Sequence, residues 1–143
     1  MSAEDNKALA RRYWDAWNTG NVAILQEIAA ADYIAHDAAG RVVRGIPGGG
    51  IPRWRTAFPD LHFVLEDVFA EGDKVVVHWT AHGTHKGDIE VRGHIPHTPA
   101  TGKHVSFAGM DIYHCGGGKI VEGWRSMDRL GLLQQLGVVP TAG

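Results

Sequence analysis

The stretch Val105-Ser106-Phe107-Ala108-Gly109-Met110-Asp111-Ile112-Tyr113, then Cys115-Gly116-Gly117-Gly118-Lys119, then Ile120 to Asp128, decides the fold. Two extended runs meet at a glycine turn, so the segment reads as an antiparallel hairpin. Side chains alternate faces with period two, and a turn centred on Gly117-Gly118 fixes which residues can meet. If Asp111 opposes Arg125, pairs such as Tyr113 with Gly123 follow. A slip of two residues keeps both charges on one face, and a slip of one separates them. A carboxylate and a guanidinium inside an apolar hairpin must pair with each other or serve a ligand.

Working outward, Leu130-Gly131-Leu132-Leu133-Gln134-Gln135-Leu136 closes the chain as a short helix. Upstream, Leu61 to Ala70 and Lys74 to His85 read as two strands joined at Glu71-Gly72-Asp73. Lys86 to Gly102 carries Pro96, Pro99, Gly87 and Gly93, so it is expected to be mostly loop, long enough to suggest a lid or binding loop. Ser2-x-x-Asp5 resembles a capping box. Leu9, Tyr13 and Trp17 recur at four-residue spacing beside Ala10 and Trp14, an amphipathic helix ending at Asn18-Thr19-Gly20. Asn21 can cap a second helix through Val22, Leu25, Ile28 and Ala29, ending near Asp32. Tyr33 to Asp37 is extended, and the glycines from Gly45 to Gly50 leave room only for a short helix at Pro52 to Ala57. Helices followed by a run of antiparallel strands give a single α+β domain whose curved sheet wraps the helices.

The chain has 143 residues, 44% hydrophobic and 21% charged, which is the composition of one globular domain. Fourteen basic residues against sixteen acidic, with no basic run, leave no electrostatic footprint for nucleic acid. No apolar run approaches the ~20 residues of a membrane span. The polar N-terminus is unlike a secretory signal, and the lone Cys115 excludes an intrachain disulfide; both fit a cytoplasmic location.

Nine histidines, most of them between His78 and His114, raise the question of a metal. Their spacing argues against one. His78 and His82 share a strand face ~13 Å apart, His85 faces the other way, and His94-x-x-His97 lacks neighbouring acidic or cysteine ligands. Asp111 and Arg125 admit two roles. They form a structural ion pair, or they line a cavity in which Asp111 accepts a proton and Arg125 stabilises an oxyanion. Asp128 either caps the last helix or adds a second carboxylate. His36-Asp37 is either a surface turn or, through His36, a secondary proton donor. Five tryptophans suit an aromatic-lined pocket as well as a core.

Several segments together resemble the SnoaL-like polyketide cyclases, or ester cyclases, within the α+β cone superfamily that includes ketosteroid isomerase. They are Trp17-Asn18-Thr19-Gly20-Asn21, Tyr33 with His36-Asp37, Phe58-Pro59-Asp60-Leu61, Gly72-Asp73-Lys74-Val75 through Trp79, and Gly83-Thr84-His85-Lys86-Gly87. Gly118-Lys119-Ile120-Val121-Glu122 through Trp124, with Asp128 to Gly137, carries the likeness furthest. The resemblance implies a cone-shaped pocket, a homodimer and chemistry without a cofactor: proton abstraction from a small apolar carbonyl compound, then intramolecular aldol closure. It also suggests Trp14, Tyr33, Trp79, His85 and Phe107 as substrate-binding residues beside Asp111, Arg125, Asp128 and His36. The chain departs from the family pattern where the chemistry lies, because Arg125 stands at the catalytic aspartate's position and Asp111 at that of its histidine partner. Isomerisation, dehydration, epoxide hydrolysis through Asp111, Arg125 and Asp128, and ligand binding without turnover are the alternatives.

Overall fold

In the computed structural model, which describes residues 2–141, the chain opens with the capping box expected at Ser2. The Ser2 hydroxyl accepts from the Asp5 amide at 3.1 Å, and the Asp5 carboxylate accepts from the Ser2 amide at 3.0 Å. Helix α1 (Ala3–Thr19) then buries Ala10, Tyr13, Trp14 and Trp17, one stripe at helical spacing, and ends on Gly20 in the left-handed conformation. Helix α2 (Ala23–Ile28) is shorter than expected. Ala29 to Asp32 belong instead to β1 (Ala29–His36), because tertiary pairing overrides the helix preference of alanine. Ala29 is buried and pairs with Ile120, and Tyr33 further along the strand is also buried.

Strand β2 (Val42–Arg44) and helix α3 (Ile51–Ala57) follow, then β3 (His62–Glu71), β4 (Lys74–Thr84), β7 (His104–Gly116), β8 (Lys119–Met127) and helix α4 (Arg129–Gln135). Lys86 to Gly102, expected as loop, contains a second small sheet: β5 (Ile89–Val91) pairs with β6 (Ile95–Thr98). Ile89, Val91 and Ile95 are buried, which is the driving force. Gly93 supplies the positive φ of the turn, and Pro96 sits in a two-stranded ribbon whose outer edge needs no N–H donor.

The main sheet runs β2-β1-β8-β7-β4-β3 and is antiparallel except where β1 lies parallel to β8. Asp111 pairs with Arg125 and Tyr113 with Gly123, and the ladder shifts by one residue only beyond His114, close to the turn. Strand alternation sorts the central residues cleanly. Val75, Val77, Trp79 and Ala81 of β4, and Val105, Phe107, Asp111 and Tyr113 of β7, point inward and are buried. Met110 and Ile112 point outward and are 56% and 39% exposed. The concave face closes on α1 through an aromatic cluster in which Trp14 meets Phe63 at 4.8 Å and Trp79 at 5.4 Å. Such pairs add about 0.5–1.5 kcal/mol each beyond simple burial.

The architecture is therefore a single α+β domain, a curved, mostly antiparallel sheet wrapped around the N-terminal helices. No helix among the described residues is long and apolar enough to cross a membrane.

Candidate functional site

Two glycines open the cone. A Cβ on Gly109 would collide with the indole of Trp79, its partner across β4 and β7, and one on Gly123 would collide with the Tyr33 hydroxyl and crowd Tyr113. With hydrogen at both positions, the Trp79 and Tyr33 side chains pack directly over the strands. A cavity of about 350 Å³ remains between the sheet, α1 and α3. That is the size of a small-ligand site. Trp17, Trp54, Phe63, Trp79 and Phe107 supply apolar wall, Arg41 and Arg53 stand among the lining groups, and Val91 and His94 come from the β5–β6 hairpin.

Arg125 and Asp111 are the charged groups set deepest in the lining. The Asp111 carboxylate is 3% exposed and accepts from Arg125 Nε at 3.1 and 3.2 Å and from Nη2 at 3.0 Å. It also accepts from Trp79 Nε1 at 3.0 Å and from the Tyr113 hydroxyl at 2.7 Å. A carboxylate offers about four lone-pair sites, and these donors fill them. Arg125 is 23% exposed, gives Nη2 to the Tyr13 hydroxyl at 2.9 Å, and lies within 6 Å of the rings of Tyr13, Trp14 and Trp17. Its Nη1 has no protein acceptor among the described residues and is the free donor of the pair.

Burial works against the Arg125 charge, but the adjacent Asp111 more than offsets it and holds the guanidinium pKa above its ordinary value. Burial first, with Asp111 adding to it, raises the Tyr113 phenol. Burial and the neighbouring Tyr13 raise that of Tyr33. Both hydroxyls therefore remain protonated donors. Cys115 is no nucleophile: burial and nearby Asp73 push its thiol up to about 11.

Asp111, Arg125, Tyr33, Trp79 and Phe107 thus meet in one cavity with His36 at its rim, while Trp14, His85 and Asp128 lie outside it. Trp14 is 1% exposed and stands behind the wall as core. His85 is fully buried outside the cavity, stacked on Phe58 at 5.2 Å with Nδ1 2.9 Å from the Thr101 hydroxyl. Asp128 is exposed and caps α4, accepting from the Gly131 amide at 2.9 Å. His36 reaches the rim because β1 ends there, but it pairs with Trp124, which alternates in face with Arg125. Its ring lies on the convex side, stacked on Trp124 at 5.0 Å with Nε2 2.7 Å from Glu122. Asp37 shapes the adjoining turn, accepting from the Ala39 and Arg41 amides at 3.0 and 2.9 Å.

Sequence reasoning gave no site role to Tyr13 and Tyr113, and weighed His94 only as a metal ligand. Tyr113 was within reach, since alternation puts it on the face of Asp111 two residues away. Tyr13 reads only as helix stripe. His94 enters the cavity through a hairpin that has no strong sequence signal. Among the described residues no three His, Cys, Asp or Glu side chains are grouped to hold a metal ion.

Three solved structures illustrate the likeness. TsrD from Streptomyces laurentii is 31% identical with a TM-score of 0.82, over 97% of this chain and 99% of that one. A polyketide cyclase candidate from Acidithiobacillus ferrooxidans is 31% identical with a TM-score of 0.78, over 96% and 99%. AclR, a candidate hydroxylase from Streptomyces galilaeus, is 26% identical with a TM-score of 0.81, over 99% and 87%. No curated protein matches the chain. The family model for SnoaL-like polyketide cyclases matches residues 7–136, nearly the whole domain, and the chain belongs to that family.

Proposed function

We propose that this chain is a cofactor-independent cyclase that folds an apolar, carbonyl-bearing small molecule inside the cone and closes a ring by intramolecular aldol addition. Family membership supports a small-molecule enzyme of cyclase or hydroxylase type. The observation that carries the finer reading is the free Nη1 of Arg125, a fixed cationic donor inside an aromatic cavity. A carbonyl oxygen placed on that donor becomes a better electron sink, and the charge that develops on it in the transition state is stabilised by a group needing no reorganisation. The aromatic walls exclude water and hold two reacting carbonyl groups of one molecule in proximity.

Asp111, expected from sequence to remove the proton, has its lone pairs committed. In this reading it is a positioning residue that keeps Arg125 charged and oriented. The reading also includes a homodimer formed through the convex sheet face, where Met110 and Ile112 leave apolar surface exposed.

A second reading has a specific observation behind it. A buried guanidinium with a free donor arm can also hold the carboxylate of an acidic ligand without turnover. Incubating the purified protein with a linear aromatic poly-β-ketone ester, in buffer containing EDTA and no added cofactor, separates the two. Cyclisation predicts a product of unchanged mass before any dehydration. Binding with no new product at protein concentrations matching the ligand refutes the cyclase and favours the carrier.

A further inference from the structure

His94 is the one histidine of the hairpin that lines the cavity, and it makes no side-chain hydrogen bond. It is 7% exposed, and its Nδ1 is buried without a partner. That nitrogen is closed off from the cavity, whereas Nε2 makes no hydrogen bond and is not buried in the same way, so it is the ring nitrogen left open to a ligand. The backbone holds it in place from both sides: its amide donates to the Val91 carbonyl at 2.8 Å, and its carbonyl accepts from Arg129 Nη1 at 3.3 Å. The other buried histidine, His85, contrasts with it. His85 leaves its own Nε2 buried without a partner, but it bonds Thr101 through Nδ1 and lies outside the cavity, so it is built into the scaffold.

Resting on the cyclase reading above, we propose that His94 is the catalytic acid/base that moves the proton in the cavity. A neutral imidazole nitrogen takes the α-proton of a substrate whose carbonyl oxygen sits on Arg125, and the C–H electron pair moves to form the enolate. The enolate carbon then attacks the second carbonyl carbon of the same molecule. One C–C bond forms, the C=O π pair moves to oxygen, and that oxygen takes the proton back from the imidazolium. Atoms and charge balance with no co-reactant.

The surroundings favour the neutral starting form. Burial first, then Arg129, lowers the His94 pKa; Asp37 opposes this and Arg41 reinforces it. The ring is therefore free to accept a proton at neutral pH, as a base working near that pH requires.

2-Tetralone, a small apolar ketone with acidic α-protons, is a suitable probe. Its α-hydrogen exchange in deuterated water is followed by NMR, and its binding by tryptophan fluorescence. The intact parent chain should bind and exchange it, with the acidic limb of the rate profile below the ordinary histidine value near 6.5. His94→Gln should bind within about 3-fold of the parent and lose exchange by at least ~100-fold, the range for a general base. His94→Asn, shorter and still polar, should do the same and guards against a misfolded variant. Exchange within 3-fold of the parent in either folded variant overturns the His94 assignment and leaves the cyclase reading standing. Binding without exchange in the parent overturns both, and so does a parent that neither binds nor exchanges the ketone.

Discussion

Asp111 and Arg125 stand directly opposite each other on β7 and β8, and their side chains form a bidentate pair closed by Trp79, Tyr113 and Tyr13. Every lone pair of the carboxylate is used, while one arm of the guanidinium is left over. The asymmetry assigns the roles. In the proposed reading the anion positions the cation, and the cation acts on the ligand.

Removing one partner of this pair strands a buried charge. Asp111→Asn should cost about 3–5 kcal/mol of folding stability, whereas the double change Asp111→Asn with Arg125→Met should recover a large part of that loss. Urea denaturation of the parent, both single variants and the double variant measures the coupling. Additive losses would refute a tight buried pair.

The pH dependence of stability follows from the buried histidines. Burial lowers the pKa of both His85 and His94 in the folded chain. Below the ordinary value near 6.5 the unfolded chain therefore binds protons first, and stability falls as pH drops. The thermal midpoint should decline from pH 7.5 to 5.5, and His85→Gln should flatten that slope whatever it does to the midpoint itself. Calorimetry at several pH values between these limits checks it.

Gly109 is a space requirement, not a conformational one, since its φ is not positive. Gly109→Ala puts a methyl into the Trp79 indole, which must swing away from Asp111 and into the cavity. Overpacking of this kind costs about 1–3 kcal/mol. Loss of 2-tetralone binding together with a shifted tryptophan emission is the expected signature. An unchanged emission maximum and unchanged affinity would show that the indole does not need the gap.

The proposed homodimer gives a separate prediction. Met110→Glu places a charge at the middle of the exposed convex face. Sedimentation velocity at micromolar concentration should show a dimer for the parent and a monomer for the variant. A monomeric parent removes the dimer from the proposal.

Much of this architecture could be read directly from local chemistry. The capping box at Ser2, the stripe Ala10-Tyr13-Trp14-Trp17, the break at Gly20 and the turn at Gly117-Gly118 each depend on near neighbours. Period-two alternation then carried the Asp111–Arg125 pairing from one glycine turn to strands many residues long. What failed depended on distant partners. Ala29 to Asp32 leave the helix because β8 offers a strand edge, and Lys86 to Gly102 folds into a ribbon because the core has room for Ile89, Val91 and Ile95.

The site divides along the same line. Which residue types were available, and that Asp111 and Arg125 share a face, followed from order along the chain, because strand geometry is periodic. That the carboxylate is saturated, that His36 and Trp124 turn to the convex side, and that His94 enters the cavity were decided only by tertiary structure. Hydrogen-bond saturation counts donors brought from three separate strands, and a cavity is the space that packing leaves unfilled. Neither quantity is local.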